Sequence, residues 1–270
     1  MLRDITLGQY YPSQSVIHRL DPRVKLTATL LFIVSMFLFH TFVGYIIAGI
    51  CLATVIIISK VPFKFMMKGL KTIWFLLIFT MFFNIFLTSG TPVFQWRFIT
   101  VTKEGLTTAA FMGLRLFFLI IGSSLMTLTT TPNQLTSGME TGLRWMKKIH
   151  VPVHEISMMM SIALRFIPIL MEETDRIMKA QQARGADFEE GKFMDRIKAL
   201  VPVFVPLFVS AFRRANELAM AMEARCYHGD EGRTSMKPLR YARRDGIAYL
   251  LLLLYIVVIV ATDRVVLGLL

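Results

Sequence analysis

The chain has 270 residues, 55% of them hydrophobic, with 22 Phe, 18 Met and a mean hydropathy of +0.58, a composition that excludes an ordinary soluble domain and points to the membrane. Its formal net charge of +12 is accounted for by loop sidedness and contact with anionic lipid headgroups, so membrane lipids are expected partners and nucleic acid is not. Two cysteines, Cys51 in an apolar run and Cys226 in a polar segment, exclude a structural disulfide.

In chain order, residues 1–25 are polar, carry Arg3, Arg19, Arg23 and Lys25, and lack the apolar core of a cleavable signal, so they are expected as a cytoplasmic arm. A helix needs roughly 20 apolar residues to cross the hydrocarbon core with its backbone bonded internally. Leu26 to Thr41, Phe42 to Ser59, Phe65 to Thr88, Gly105 to Thr130 and Ile247 to Thr262 meet that need, which gives five spans. Lys60, Lys64, Lys68 and Lys71 follow the second span, whereas the loop before it has no Lys or Arg and the next outer loop has only Arg97 and Lys103. The positive-inside rule therefore puts the N-terminus in the cytoplasm and the C-terminus outside. The expected fold is an all-α integral membrane protein: an arm (1–25), four spans (26–130), a cytoplasmic region (131–246), and a last span with an outer C-terminus (247–270).

The segment 131–246 is far longer than an ordinary loop, and function is expected there. TPNQL opens it as a helix start at Thr131 or Asn133. From about Val153 to Ala183, Leu164, Ile167, Met171, Thr174 and Met178 recur at helical spacing, Pro168 kinks the run, and Gly185 stops it. A second helical stretch runs from about Lys192 to Leu200, meets Pro202 and Pro206, and continues to about Arg225. In it Ala211, Phe212, Ala215, Leu218, Ala219 and Met222 form an apolar stripe, with Arg213, Arg214, Asn216, Glu217 and Glu223 off it. The run VPVFVPLFVSAF is too short to span and reads as interfacial or packed against protein.

The ends of these two helices repeat. QQARGADFEEGK (181–192) falls on MEARCYHGDEGR (222–233) at an offset of 41, matching Ala183 with Ala224, Arg184 with Arg225, Glu189 with Asp230, Glu190 with Glu231, Gly191 with Gly232 and Lys192 with Arg233. One arginine at a helix C-terminus is accounted for by the partial negative charge there, an effect of about 0.3–1 kcal/mol. Two matching ends with matching tails point to two similar receivers, each taking a guanidinium flanked by small residues.

With these motifs and the N-terminal GQYYPSQSVIHRLDPRVKL (8–26), the chain resembles, over essentially its full length, the transmembrane T component of energy-coupling factor (ECF) transporters, the vitamin and metal-ion importers of prokaryotes. The resemblance implies a scaffold in the cell membrane that binds two ABC-type ATPase subunits through coupling helices and one membrane-embedded, substrate-binding S component. It implies that Arg184 and Arg225, within Ala183-Arg184-Gly185 and Ala224-Arg225-Cys226, dock on the ATPases, with Glu189, Glu190, Asp230 and Glu231 as flanking contacts. ATP and Mg would be held by the ATPases; for this chain no cofactor, metal or catalytic residue is expected. Cys226 stands where the commoner residue is Gly, which leaves a left-handed cap there in question and makes Gly229 the alternative helix stop.

Rival readings have weaker support. GADFEEGKF has five residues between its glycines, no hydroxyl residue after the lysine, and Asp187, Glu189 and Glu190 to repel phosphate, so it is not a P-loop. His150 and His154 precede Glu155, but Pro152 breaks the shared helical face a metal site needs. A self-contained transporter or channel would line a path with ionisable groups, and the spans offer little beyond Asn84 and Arg115, the latter read as snorkelling or as touching a partner. Met66, Met67, Met158, Met159, Met160, Met171 and Met178 suit surfaces that repack against several partners.

Overall fold

A computed structural model describes residues 10–39, 41–96, 99–186, 188, 193–229, 236 and 238–269. Eight helices carry the fold among these: α1 (Pro22–Leu38), α2 (Phe42–Ser59), α3 (Phe63–Leu87), α4 (Lys103–Thr129), α5 (Pro132–Gly142), α6 (Val153–Ala183), α7 (Phe193–Glu223) and α8 (Arg243–Leu269). Strands β1 (Pro92–Trp96) and β2 (Ile99–Thr102) pair antiparallel between α3 and α4, a small hairpin where the sequence predicts a loop. The chain divides into two compact units, one from Gly8–Gly138 and Leu239–Leu270, the other from Met139–Pro238.

In the first unit α4 packs on α1, α2 and α3, and α8 packs on α1 and α2. One apolar cluster joins Leu52 of α2, Met66, Leu70 and Leu77 of α3, and Ile121, Leu125 and Leu128 of α4. A second joins Met36 and Phe39 with Tyr45 and Ala48 of α2 and Tyr255 and Ile259 of α8. Gly122 permits the close approach of α4 to α1, since a Cβ there would lie 2.8 Å from the Phe32 ring. Arg115 is half-buried: its Nε donates to the Tyr45 hydroxyl at 3.2 Å, and its guanidinium stacks 5.2 Å from the Phe37 ring centroid. Asn84 is satisfied on its own helix, donating to the Thr80 carbonyl at 2.8 Å.

Length and composition make α2, α4, α6 and α8 capable of crossing a membrane, and α3 a fifth if its limbs Phe63–Lys71 and Ile73–Leu87, bent by 62°, form one span. That set differs from the sequence reading at two helices. At 17 residues α1 covers only about 25 Å of rise, while α6 is long enough and apolar enough in spite of Arg165, Glu172, Glu173, Asp175, Arg176 and Lys179. Hydropathy averages over a helix and so cannot separate a span from an amphipathic helix with a broad apolar face. The chain is an integral membrane protein on either count.

The N-terminal arm is strapped to this unit. The Tyr11 amide donates to the Leu128 carbonyl at 2.9 Å. The His18 Nε2–H donates to the Tyr11 carbonyl at 3.0 Å, which leaves Nδ1 to accept from the Ser15 hydroxyl at 2.7 Å. Lys25 Nζ donates to the carbonyls of His18 (3.2 Å) and Thr129 (2.8 Å). Asp21 caps α1 by accepting from the Arg23 amide at 2.9 Å, with Pro22 at the first helical position. The Asp21 amide in turn donates to the carboxylate of Asp245 on α8 at 2.9 Å, and the same carboxylate accepts from the Ala242 amide at 2.7 Å. Arg23 completes the contact by donating to the Leu239 carbonyl at 3.2 Å and covering the Tyr241 ring at 5.0 Å.

Burial lowers the His18 imidazole below its ordinary value of 6.5; the bond to the Tyr11 carbonyl opposes this, and nearby Lys25 adds to it. Because the folded value lies below the unfolded one, the contribution of His18 is fully present above 6.5 and is lost as pH falls through the lower, folded value. The thermal midpoint of the detergent-solubilised chain should therefore fall further between about pH 7.5 and about pH 5 for the wild type than for His18→Gln. Equal shifts in the two proteins would remove His18 from the arm's acid sensitivity.

In the second unit the start of α6 is held by Glu140. Its carboxylate takes His154 Nδ1 at 2.7 Å and the Ser157 hydroxyl at 3.0 Å. His154 thus faces a carboxylate of α5, and His150, in a left-handed turn before α6, does not share its helical face. Upstream, α5 starts as the TPNQL signature requires: the Gln134 amide donates to the Thr131 hydroxyl (3.3 Å) and the Thr131 amide to the Gln134 side-chain oxygen (3.2 Å), a reciprocal capping box.

Candidate functional site

The two sequence-matched helix ends have the same backbone. On α6 the amide of Arg184 donates to the Gln181 carbonyl (3.0 Å), that of Gly185 to Gln182 (2.9 Å) and that of Ala186 to Gln181 (3.0 Å). On α7 the amide of Arg225 donates to Met222 (3.1 Å), that of Cys226 to Glu223 (2.9 Å) and that of Tyr227 to Met222 (3.1 Å). Shifted by 41, every donor and acceptor corresponds. The pattern is the Schellman motif, in which a left-handed residue lets the next amide reach back five positions. Arg184 and Arg225 occupy the C-cap, the last place before the chain turns away, and both are exposed together with Ala183, Gly185, Ala224 and Cys226.

The left-handed position is Gly185 in one copy (φ +89°) and Cys226 in the other (φ +57°). The cap that the sequence leaves open between Cys226 and Gly229 falls at Cys226: α7 ends at Glu223, Cys226 turns the chain, and Gly229 (φ +93°) makes a further turn beyond it. Hydrogen bonds of the Schellman pair outweigh the cost of a left-handed L-residue, about 1–2 kcal/mol. Cys226→Gly should accordingly raise the thermal midpoint and Cys226→Val lower it. Gly185→Val should cost about 1–2 kcal/mol from conformation alone, since a Cβ there meets nothing within 4 Å. Unchanged midpoints in all three variants would mean the caps contribute nothing.

How α6 and α7 are paired decides where the caps lie. Glu173 of α6 accepts from the Ser210 hydroxyl at 2.7 Å and from Arg214 at 2.7 Å, and the Gln181 side-chain amide donates to the Pro202 carbonyl at 3.4 Å. At the other end Ile162, Phe166 and Leu170 line a cleft with Ala211, Ala215, Leu218, Ala219 and Met222. Partner numbers rise on one helix as they fall on the other, so the pair is antiparallel. Arg184 lies beyond the end of α6 near Pro202, and Arg225 beyond the end of α7 near Ile162. About 20 residues of α7 separate those points, roughly 30 Å of helix. The arginines are thus presented at opposite ends of one helix pair.

The helical stretch that the sequence carries past Pro202 and Pro206 is one 31-residue helix, α7; sequence reasoning missed how it accommodates its second proline. Pro206 has no N–H for the Pro202 carbonyl four residues back, and the Gln181 amide fills that role. The flanking acids Glu189, Glu190, Asp230 and Glu231 lie outside the described residues, as do Gly191, Lys192, Gly232 and Arg233. Among the described residues no group of three or more His, Cys, Asp or Glu is arranged to hold a metal ion.

Comparison with known proteins bears on this arrangement. A family model described as cobalt transport protein (CbiQ) matches residues 13–236. The energy-coupling factor transporter transmembrane protein EcfT of Clostridium kluyveri is 57% identical over 252 residues, 93% of either chain. The proteins of the same name from Ruminiclostridium cellulolyticum and Bacillus subtilis are 52% identical over 245 residues (91% of this chain, 92% of theirs) and 49% over 246 (91% and 93%). A chain that shares about half its residues with such proteins along nine-tenths of its length belongs to their family, the energy-coupling factor transporter transmembrane proteins.

Proposed function

We propose that this chain is the energy-coupling scaffold of an ECF-type importer in the cell membrane of a prokaryote, with its N-terminus cytoplasmic and its C-terminus outside. It transmits the ATP-driven motion of two ABC-type ATPase subunits to one membrane-embedded S component, which carries a vitamin or similar micronutrient inward. The chain itself is not catalytic; ATP and Mg belong to the ATPases, and the solute is chosen by the S component. The observation that carries this reading is the pair of matching Schellman-capped arginines, exposed at opposite ends of the α6–α7 pair. One arginine suits a helix terminus; two in the same backbone setting, roughly 30 Å apart, suit two copies of one kind of groove. Carboxylates in those grooves would pair with guanidinium in the fork geometry arginine favours.

ATP binding draws the two ATPases together, carries the helix ends with them, and changes how α6 and α7 present their exposed apolar residues to the S component. Phe204, Phe208 and Phe212 of α7 and Met159 and Met160 of α6 are exposed large hydrophobics available for that contact. Purification of the tagged chain from its native membrane, followed by mass spectrometry of its companions, tests the reading. Two ATPase subunits and a small membrane protein are expected; a chain that is pure and alone under mild detergent would overturn it.

A further inference from the structure

Glu173 and Arg214, the ion pair that joins α6 to α7, are themselves related by the 41-residue offset that relates the two caps. Glu173 lies eleven residues before Arg184, and Arg214 eleven residues before Arg225. The pair therefore sits on the approximate two-fold axis of the helix pair, each partner roughly 16 Å of helix from its own cap. Both oxygens of Glu173 are used, Oε1 by the Ser210 hydroxyl and Oε2 by Arg214, so one carboxylate holds two residues of α7 one turn apart. A cleft starts at this contact, where Arg214 and Ala211 line it, and runs toward the end of α7, where Ala215 and Ala219 oppose Ile162, Phe166 and Leu170. On the other side the helices meet again through Gln181 and Pro202.

We infer that the Glu173–Ser210–Arg214 contact is the fulcrum about which α6 and α7 change their crossing angle, with the alanine-lined cleft as the room into which they close. Glu173 and Arg214 are positioning residues: they touch no solute and act by fixing where the levers cross. Equal arms on the two sides turn equal displacements of the two caps into rotation about the contact rather than sliding along it. The Gln181–Pro202 bond, exposed and 3.4 Å long, is a second and weaker tie between the helices, and it is the one that a change of angle about Glu173 would stretch. The inference rests on the scaffold reading for its purpose, but the crossing geometry is testable without it.

Spin labels at Gln182→Cys and Glu223→Cys, two exposed and offset-related positions, report the span between the levers in a full-length chain whose native cysteines are replaced (Cys51→Ser, Cys226→Gly). In the detergent-solubilised chain alone, pulsed dipolar spectroscopy should give one narrow distance distribution. Glu173→Ala should broaden it about twofold or more, and the exchange Glu173→Arg with Arg214→Glu should restore most of the narrow component. A distribution unchanged by Glu173→Ala would overturn the inference whether or not ATPases bind. So would an exchange variant that folds, as judged by a wild-type thermal midpoint, yet stays as broad as Glu173→Ala. In the native complex, addition of Mg-ATP with vanadate should move the distribution as a whole for the wild type. With Ala215→Met, which fills the cleft, that movement should be absent while ATP hydrolysis continues. A movement that persists in Ala215→Met would overturn the cleft's role, and failure of the wild type to bring down ATPases would count against the scaffold reading alone.

Discussion

Arg184→Glu combined with Arg225→Glu is expected to abolish co-purification of the ATPases, while Arg184→Ala alone leaves partial assembly and partial ATP hydrolysis. Truncating one partner of a buried interfacial charge pair costs about 2–5 kcal/mol, mostly because the facing carboxylate is left unpaired. On the scaffold reading one such loss would weaken one end, while the second arginine at the far end of the α6–α7 pair would still hold its own subunit. Reversal at both ends would remove both proposed anchors and add like-charge repulsion, beyond what two-point attachment can offset. Glutamate at a helix C-terminus is unfavourable by itself, so Arg184→Gln with Arg225→Gln serves as the control in which the caps stay intact. The control should also fail to assemble, with a thermal midpoint near the wild type. Recovery of ATPases in wild-type amount with the double reversal would show that the arginines are not the anchors.

Asp245→Ala is expected to be the most damaging single change in the membrane unit, at about 3 kcal/mol. Asp245 is 3% exposed, and its two oxygens receive the amides of Asp21 and Ala242. Removal of the carboxylate strands the buried Asp21 amide, at about 1–3 kcal/mol, and the part-buried Ala242 amide at less. Asp245→Asn keeps one acceptor oxygen and should lose about 1 kcal/mol, so the midpoints should order as wild type, Asn, Ala. If the alanine variant unfolds with the wild type, water reaches the contact and the strap is not buried in the membrane-embedded protein.

Features decided by neighbours along the chain were legible in the sequence. The apolar runs gave α2, α3, α4 and α8 to within a few residues at most boundaries, TPNQL gave the capping box of α5, and Gly185 gave the stop of α6. The cap at Cys226 stays open in the sequence because residue preference disfavours it and the hydrogen-bond pattern that favours it is not visible in the letters. The 41-residue repeat around Arg225 held the answer, since matched sequence at the other positions implied matched backbone at this one. How α7 passes its prolines was not legible, for a different reason. Two prolines break a helix in isolation, but a glutamine 21 residues away satisfies one freed carbonyl, and only the packed helix pair brings the two together. Glu173 with Arg214, and Asp21 with Asp245, were equally invisible, because their proximity follows from tertiary packing alone. The flanking acidic tails at 189–190 and 230–231 were singled out by the repeat, and their residues are not among those described.

The strap between Asp21 and Asp245 also bears on the order in which the protein is made. Its two halves are 224 residues apart in the chain, at opposite ends of synthesis. At a translation rate of about 5–20 residues per second, the arm and α1 wait roughly 10–45 s for the aspartate that ties them down. During that interval the Asp21 amide and the buried face of α1 lack their last partner, and the bundle is open on the side where α8 will pack. Closure therefore belongs to the final step of biogenesis. Any chain that ends before Arg243 is left with its first helix unlatched, so the contact that completes the fold also distinguishes a finished subunit from an unfinished one.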